Sequence, residues 1–201
     1  MPECIIRPAT PTDAQRLLEI YASYVVGTPI SFEYDVPTLA DFTGRIERIS
    51  KDFPWLVCEV GGIIAGYAYA SKYRERAAYR WSCEYSVYLD PSFHRMGIAR
   101  ALYTCLTRLL KLLGYVTAYA CVTVPNQASE SLHENFGFVP MGLFHNAGYK
   151  LGRWHNVKWF EMPLMDPPGK PAPPKPTSKV AGTAEYANIL AESARLVKTR
   201  P

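Results

Sequence analysis

The sequence predicts a single mixed α/β domain over residues 1–165, followed by a C-terminal extension of different character. Strand-like runs alternate with helical patterns through the domain, which implies a mixed sheet with some parallel pairing. The 201 residues are 48% hydrophobic and 20% charged, which is enough apolar material to bury one core. From Asp166 the chain becomes rich in proline, glycine and lysine, so residues 166–201 are interpreted as a linker and tail.

Capping and turn signals organise the first half of the domain. Thr12 and Gln15, three residues apart, form a capping box that predicts the start of the first helix. Gly61 and Gly62 between two apolar runs are typical of a hairpin turn. The predicted elements of this half are strands over residues 4–7, 55–60, 63–70 and 81–89 and helices from residue 12 and over residues 38–51.

Glycines delimit the helices of the second half. A helix with apolar residues at helical spacing begins after Gly97 and ends at Gly114, and a shorter one ends at Gly137. Strands are predicted over residues 116–124, 138–144 and 157–162. Residues 184–199 have one apolar helical face. Because so short a helix is marginal in water, we expect a frayed tail rather than a docked helix.

Composition argues against several classes of function. The net charge of +4 is mild and the basic residues are scattered, so no nucleic-acid partner is expected. Five cysteines without CxxC spacing indicate free thiols, and four histidines without ligand spacing predict no metal site. With no secretory signal and no apolar run long enough to span a bilayer, a cytoplasmic protein without membrane contact is the expectation.

The segment from Phe93 to Arg100 has the features of a phosphate site. Gly97 and Ala99 are small residues at the mouth of the long helix, so a ligand can approach bare backbone N–H groups there. Those donors and the positive end of the helix dipole suit a phosphate or pyrophosphate. The segment therefore predicts an enzyme that uses a phosphate-bearing coenzyme.

Three separate motifs occur in order after the central strand. They are HRMGIA at residues 94–99, VPNQASESLHENFGF at residues 124–138 and AGYKLGRWH at residues 147–155. Over about residues 4–163 the chain resembles the GCN5-related N-acetyltransferase (GNAT) family, in its phosphinothricin N-acetyltransferase-like branch. The resemblance implies one GNAT-type domain with a twisted, mostly antiparallel mixed sheet flanked by helices. It also implies acetyl-CoA as co-substrate.

The resemblance implies a direct transfer of acetyl to an amine. Glu84 is at the position of the family's general base, where a carboxylate could take the ammonium proton directly or through water. The alternative is a glutamate that simply faces solvent. The backbone of Val87, Tyr88 and Leu89 would bond the pantetheine arm, with one N–H directed at the thioester oxygen.

Further coenzyme contacts are also implied by the resemblance. The amides of residues 96–99 would cradle the pyrophosphate, and Asn126 and Ser129 would contact the coenzyme arm, although Asn126 is also a natural helix N-cap. His133 stands where many members have a tyrosine that protonates the thiolate, and its alternative is a structural helix residue. His94 replaces the usual Gln or Arg. The predicted cradle residues are Arg95, Met96, Gly97, Ile98, Ala99 and Arg100, with both arginines as added cations or plain surface residues.

The acceptor side follows the same resemblance. Arg74 and Arg76 suit a carboxylate or phosphinate, because guanidinium can bond two oxygens at once. The branch completes its acceptor site from a partner subunit, which implies a homodimer with the aromatic-rich block of residues 144–159 in the interface. The predicted pocket walls are Phe32, Glu33 and Tyr79, and the predicted partner contributions are His145, Asn146 and Lys150.

Two classes of function stay open from the sequence. The favoured hypothesis is N-acetylation of an amino acid-like acceptor such as phosphinothricin or methionine sulfoximine, with another small amine, a polyamine or a peptide N-terminus as alternatives within the class. The alternative from outside the class is a non-catalytic, acyl-CoA-binding regulatory module whose Pro-rich tail is the working part. Glu84 favours the enzyme.

Overall fold

The computed structural model describes residues 3–198. Seven strands form one sheet in the spatial order β1-β2-β3-β4-β5-β7-β6. Among these described strands, neighbours are antiparallel except β4 and β5, which confirms the predicted mixed, mostly antiparallel sheet. The strands are β1 (Cys4–Pro8), β2 (Trp55–Val60), β3 (Ile63–Lys72), β4 (Ser82–Leu89), β5 (Thr117–Val124), β6 (Val139–Lys150) and β7 (Arg153–Pro163). The helices are α1 (Ala14–Gly27), α2 (Leu39–Ser50), α3 (Ile98–Leu113), α4 (Gln127–Phe136) and α5 (Ala184–Ala194).

The parallel pair β4–β5 is short. Its register runs from Ser82 opposite Thr117 to Glu84 opposite Tyr119 and ends there. Both strands continue for five residues beyond this point, to Leu89 and Val124 respectively. The two strands therefore diverge, and the divergence leaves a gap in the middle of the sheet.

Each face of the sheet is covered by helices with apolar stripes. On one face α3 buries Leu102, Leu106 and Leu109 completely, and each such side chain stabilises the fold by roughly 1.5–3 kcal/mol. On the other face α1 and α2 enclose a second cluster that includes Leu17 and Trp55. None of the helices within residues 3–198 is both long and apolar enough to cross a bilayer.

The first helix begins differently from the prediction. The capping residues are Thr10 and Asp13, not Thr12 and Gln15: the Asp13 carboxylate accepts from the Thr10 N–H at 2.7 Å and from its hydroxyl at 2.9 Å. Gln15 instead donates to Glu19 on the helix surface. A 3₁₀ turn over Pro11–Asp13 precedes α1, and this extra turn moves the cap two residues towards the N-terminus.

The last two strands are much longer than predicted. They form a hairpin whose turn is Leu151 and Gly152, both with positive φ (51° and 76°). A leucine in this conformation is uncommon, so the sequence gives no turn signal there. A register shift between Phe144 and Gly148 also interrupts the alternation that identifies a strand.

The C-terminal extension is docked, which differs from the expected frayed tail. The Pro-rich stretch runs past the end of α3, where the Lys175 N–H donates to the Leu113 carbonyl at 2.8 Å. Helix α5 then packs against α3 and β1 and contributes Tyr186 and Ile189 to the main core. A helix that is marginal alone is stabilised here by burial of its apolar face.

Candidate active site

The divergence of β4 and β5 opens a cleft of about 250 Å³. Its walls come from both strands, from α3 and α4, and from the loop between α1 and α2. The cleft brings together predicted residues that are far apart in sequence. They are Glu84 and His133 of the catalytic set, Val87, Tyr88, Asn126 and Ser129 of the coenzyme set, and Phe32 of the acceptor set.

Glu84 lies at the point where β4 leaves β5. It is half-buried, the last β4 residue in register with β5, and it lines the cleft. Burial raises the pKa of the Glu84 carboxyl above its ordinary 4.5, and the positive charge of Arg74 acts in the opposite direction. A carboxylate with a raised pKa holds a proton more readily, which suits a general base.

Along the second half of β4, the backbone N–H and C=O groups of successive residues face alternately towards β3 and towards the gap. The Asp90 N–H donates to the Ala65 carbonyl at 2.9 Å, and residues in an antiparallel pair alternate between bonded and non-bonded positions. The backbone groups of Tyr88 therefore face β3, and those of Val87 and Leu89 face the gap. Of the three residues predicted to bond the coenzyme arm through their backbone (Val87, Tyr88 and Leu89), Tyr88 therefore uses its backbone groups in the pairing with β3.

The Tyr24 hydroxyl occupies the backbone of Leu89. It donates to the Leu89 carbonyl at 2.6 Å and accepts from the Leu89 N–H at 3.3 Å. Val87 is then the predicted residue whose backbone is directed into the gap away from Tyr24. The sequence analysis did not single out Tyr24. The available signal was its hydroxyl, because a buried tyrosine hydroxyl normally finds a polar partner.

The loop before α3 forms a concave backbone nest. Arg95 and Gly97 both have left-handed φ values, 67° and 75°, on either side of the buried Met96. Gly97 is the N-cap of α3 and has no side chain to accept from the first N–H groups of the helix, so these donors stay available. Nests of this kind bind anions. Within and beside the predicted cradle of residues 95–100, Ile98 is buried, Ala99 is half-buried, and His94, Arg95 and Arg100 are exposed.

His133 is buried and makes hydrogen bonds through both ring nitrogens. Its Nδ1 lies 2.7 Å from the Ser129 carbonyl oxygen, which can only accept, so Nδ1 has the hydrogen. Nε2 therefore accepts from the Tyr103 hydroxyl at 3.1 Å. Burial lowers the pKa of His133 below its usual 6.5. The ring is neutral near pH 7, and the hydrogen shared between the two side chains belongs to the Tyr103 hydroxyl.

Tyr103 is one of the cleft residues that the sequence argument missed. It lies on the buried face of α3, and burial raises the pKa of its hydroxyl. In sequence it reads as one more large side chain in an apolar stripe. The signal was the hydroxyl, because a buried tyrosine normally finds a polar partner.

Asn126 and Ser129 open helix α4 at the rim of the cleft. The Asn126 side-chain oxygen accepts from the Ser129 N–H at 3.2 Å, so Asn126 is the helix N-cap. Both residues also line the cleft. The capping role and a ligand contact are compatible, because the Asn126 amide group still has two donors.

Three comparisons bear on this geometry. A family model described as "Acetyltransferase (GNAT) domain" matches residues 6–159. The chain belongs to the GNAT acetyltransferase family. It is 35% identical to the phosphinothricin N-acetyltransferase of Streptomyces viridochromogenes, over 87% of this chain and 93% of that protein. It is 29% identical to the L-methionine sulfoximine/L-methionine sulfone acetyltransferase of Salmonella typhimurium, over 79% of this chain and 94% of that protein. The solved structure of a GNAT superfamily phosphinothricin acetyltransferase from Sinorhizobium meliloti, in complex with AcCoA, matches with a TM-score of 0.81 at 32% identity, covering 84% of this chain and 93% of that chain.

This GNAT protein is an acetyl-CoA-dependent N-acetyltransferase of the phosphinothricin N-acetyltransferase-like branch. Its own residues fit such a co-substrate. The nest at Arg95–Gly97 suits phosphate groups, and the gap offers unpaired backbone at Val87 for a ligand with amide groups. The residues of the chain are thus compatible with acetyl-CoA as co-substrate.

On the acceptor side of this GNAT domain, Phe32 and Glu33 lie differently. Phe32 lines the cleft, and its ring packs so closely on Gly148 that a Cβ there would lie 2.4 Å from the ring. Glu33 is paired with Arg45 of α2 at 2.6 Å and is absent from the cleft lining. Phe32 is therefore a wall of the cleft, and Glu33 holds the loop to α2.

The two arginines predicted for the GNAT acceptor site, Arg74 and Arg76, also differ in their relation to the cleft. Arg74 is near enough to Glu84 to affect its pKa. Arg76 and Tyr79 lie with Arg74 along a second, open cavity in the loop between β3 and β4. Arg76 and Tyr79 are both exposed. Among these three residues, Arg74 is the one with an electrostatic connection to the cleft.

The residues expected to act from a partner subunit have two different environments in the GNAT domain. His145 and Asn146 are exposed at the register shift of β6, where a second subunit could reach them. Lys150 is placed otherwise. It is buried, and its ammonium donates to the carbonyls of Val25 and Ser31, each at 2.6 Å, within its own subunit. This ammonium is used to tie α1 and the following loop to β6.

Proposed function

We propose that the chain acetylates the primary amine of an amino acid-like acceptor of the phosphinothricin or methionine sulfoximine type, with Glu84 as general base. The observation that carries this proposal is the position of Glu84, half-buried in the cleft at the last register pair of β4 and β5, with a raised pKa. Relatives named for these two acceptors give it further support.

The coenzyme supplies the acetyl group as a thioester, and this chain's residues hold it. The amides of residues 96–99 bind the phosphates, with Arg95 and Arg100 as exposed cations beside them. The Val87 backbone bonds the amide-bearing arm, and Asn126 and Ser129 contact the arm from α4. Leu89 joins Val87 when the Tyr24 hydroxyl releases its backbone groups.

Glu84 accepts the proton of the incoming ammonium, either directly or through a water molecule in the cleft. An ammonium cannot attack a carbonyl carbon, because its lone pair is occupied by the proton. Removal of this proton is therefore required before the amine can attack. The amine then attacks without an acetyl-enzyme. Cys121 lines the same cleft, but desolvation there and the nearby charge of Glu84 raise the pKa of its thiol to about 12, which leaves it protonated and a poor nucleophile.

Tyr103 and His133 act as a pair on the leaving thiolate. Burial raises the pKa of Tyr103, so its hydroxyl stays protonated, and as the sulfur becomes anionic the hydroxyl turns its one hydrogen from Nε2 of His133 to the sulfur. Until then Nε2 accepts this hydrogen and holds the hydroxyl in place, while the Ser129 carbonyl fixes the tautomer of the ring. His133 is then a positioning residue for Tyr103 and not the direct donor.

Arg74 favours an acceptor with an acidic group. It is a cation beside Glu84, where a polyamine site would be expected to have extra acidic residues. Another small amine or a peptide N-terminus is the alternative within the same reaction class. A non-catalytic coenzyme-binding module is disfavoured because Glu84, a group able to act as a base, lines the same cleft as the backbone of β4 that would bond the coenzyme.

The active unit is a homodimer formed through β6. This strand is the edge of the sheet, and the apolar side chains of its hairpin are largely exposed. Monomers rarely leave so large an apolar patch at an unpaired strand edge. His145 and Asn146 lie within the same strand, so a second copy docked there would cover them. The apolar edge consists of Val139, Met141, Leu143, Phe144, Tyr149, Leu151 and Trp154, all between 45% and 61% exposed.

The test is release of free thiol from acetyl-CoA with a panel of amines. The panel contains phosphinothricin, methionine sulfoximine, methionine sulfone, neutral amino acids, spermidine and a tripeptide with a free N-terminus. We expect release with the first three and little with spermidine. Release with no amine, despite measurable coenzyme binding, would support the regulatory module instead.

A further inference from the structure

The last described residues of the C-terminal extension lie against the loop that opens α3. The Lys198 N–H donates to the Met96 carbonyl at 2.8 Å. The Leu196 carbonyl oxygen lies 3.3 Å from the position that a Cβ on Gly97 would take. Met96 and Gly97 are two of the three residues of the nest described above. The extension therefore touches the backbone of the nest itself.

The position of this terminal segment is set by core packing. Val197, directly before Lys198, is buried in the main core with Ile189 of α5. Glu192 of α5 forms an ion pair with Arg108 of α3 at 2.7 Å. Burial of each large apolar side chain contributes roughly 1.5–3 kcal/mol, so the segment is anchored independently of its contact with the nest.

The nest needs such an anchor. Arg95 is a non-glycine residue with φ of 67°, a conformation that costs of order 1 kcal/mol and persists only where its surroundings enforce it. The Met96 carbonyl follows directly, and the Lys198 N–H restrains it. A pre-shaped nest binds phosphate more tightly, because less ordering remains to be done when the ligand arrives.

We propose that the C-terminal extension is a working part of the coenzyme site, in which the Lys198 N–H holds the Met96 carbonyl and so keeps the nest in its phosphate-binding shape. The inference rests on the proposed placement of the coenzyme phosphates at this nest. The GNAT match ends at residue 159, so the extension is an addition beyond the matched domain. Lys198 has a positioning role and acts through Met96.

The test compares Lys198→Pro with Lys198→Ala. Proline has no N–H and removes the bond to Met96, whereas alanine keeps the N–H and removes only the ammonium. With CoA as the probe in calorimetry, we expect Lys198→Pro to raise Kd about three- to tenfold, the range that loss of one hydrogen bond gives. Lys198→Ala is expected to stay within about twofold of the parent, which is below that range. The KM for acetyl-CoA should rise with Kd while kcat stays unchanged. If the pyrophosphate is the group affected, the ratio of the Kd of Lys198→Pro to that of the parent should be the same for dephospho-CoA as for CoA.

Hydrogen exchange gives a second readout on the unaltered chain. Binding and docking are coupled reciprocally, so CoA should slow exchange of the amide at Lys198. An unchanged rate there, or equal CoA affinity for the parent and Lys198→Pro, would overturn the proposal. Tighter binding by Lys198→Pro would overturn it as well, since the extension would then compete with the coenzyme.

A Gly97→Val variant separates this proposal from the proposed function. Valine at φ of 75° is strained, and its side chain would meet the Leu196 carbonyl. If this variant binds CoA as the parent does, the placement of the phosphates at the nest is wrong. If it binds weakly while Lys198→Pro binds normally, the role of the extension alone is wrong.

Discussion

Tyr103 donates its hydroxyl hydrogen to Nε2 of His133 across 3.1 Å, on the wall of the cleft that also contains Glu84. The two residues come from different helices, α3 and α4. The same cleft contains the Glu84 carboxyl, and burial together with the charge of this carboxyl raises the pKa of the Tyr103 hydroxyl. In the proposed reaction the carboxylate accepts the proton of the amine, and the hydroxyl turns its hydrogen from Nε2 to the leaving sulfur.

The first prediction concerns Glu84. Glu84→Gln keeps the size of the side chain and removes its basicity, so kcat at neutral pH should fall about 100-fold, the usual contribution of a general base. The Kd for CoA should not change. Glu47→Gln on the exposed face of α2 is the matched control and should be fully active. Unaltered turnover in Glu84→Gln would remove Glu84 from the role of base.

The second prediction concerns the pH profile. A base works when deprotonated, so kcat/KM should fall as pH drops through the pKa of Glu84, which burial raises above that of an ordinary glutamate. Arg74→Met removes the charge that lowers this pKa, and the acid limb should move to higher pH. Arg76→Met should leave the limb in place, because its guanidinium does not contribute to the pKa of Glu84. A shift towards lower pH in Arg74→Met would contradict the assignment.

The third prediction separates the roles of Tyr103 and His133. His133→Asn keeps a donor near the Ser129 carbonyl and removes the acceptor that holds the Tyr103 hydroxyl. Tyr103→Phe should lower kcat about 100- to 1000-fold, the usual effect of losing one transition-state donor. In a double-mutant cycle, His133→Asn should add nothing once Tyr103 is phenylalanine. If the two substitutions instead lower kcat by the product of their separate effects, His133 is a donor in its own right.

The fourth prediction concerns the dimer. Leu143→Lys places a charge in the middle of the exposed apolar edge of β6, and like charges would meet across a two-fold axis. Light scattering after gel filtration should show a dimer for the parent and a monomer for the variant. Ile63→Lys, at an exposed apolar site on the β2–β3 hairpin, is the control and should stay dimeric. A monomeric parent protein would exclude the interface.

The fifth prediction concerns Lys150. Lys150→Met leaves the buried carbonyls of Val25 and Ser31 without their donor, so the free energy of unfolding should fall by about 1–3 kcal/mol. Urea unfolding measures this loss, and Lys111→Met on the exposed side of α3 should cost little. A variant of normal stability with a raised KM for the acceptor would return Lys150 to the acceptor site.

The sequence predicted most of the fold because local signals and tertiary structure agree in the centre of the chain. Gly97 and Gly114 bound α3 as expected, and both adopt left-handed backbone at its ends. The prediction failed where tertiary contacts decide. The β6–β7 turn uses Leu151 at positive φ, and α5 is stabilised by a partner helix that periodicity alone does not reveal.

The candidate site was predictable to the extent that motifs mark it. Glu84, Asn126 and His133 lie around one cleft, as the order of their motifs suggested. Burial and partner choice are properties of the folded chain, so they were not predictable. Lys150 was predicted to act from a partner subunit, and only its two carbonyl partners show that its ammonium is used within its own subunit. Tyr103 and Tyr24 were missed for the same reason, because the partners of their hydroxyls are set by the folded chain.

The short register between β4 and β5 has a mechanical consequence. Three residue pairs join a four-stranded half of the sheet, β1 to β4, to a three-stranded half, β5 to β7. A ligand bound in the gap contacts both halves and adds hydrogen bonds where β4 and β5 do not pair with each other. The loaded enzyme should therefore resist heat and proteolysis more than the empty one, with the coenzyme acting as a removable rung of the sheet.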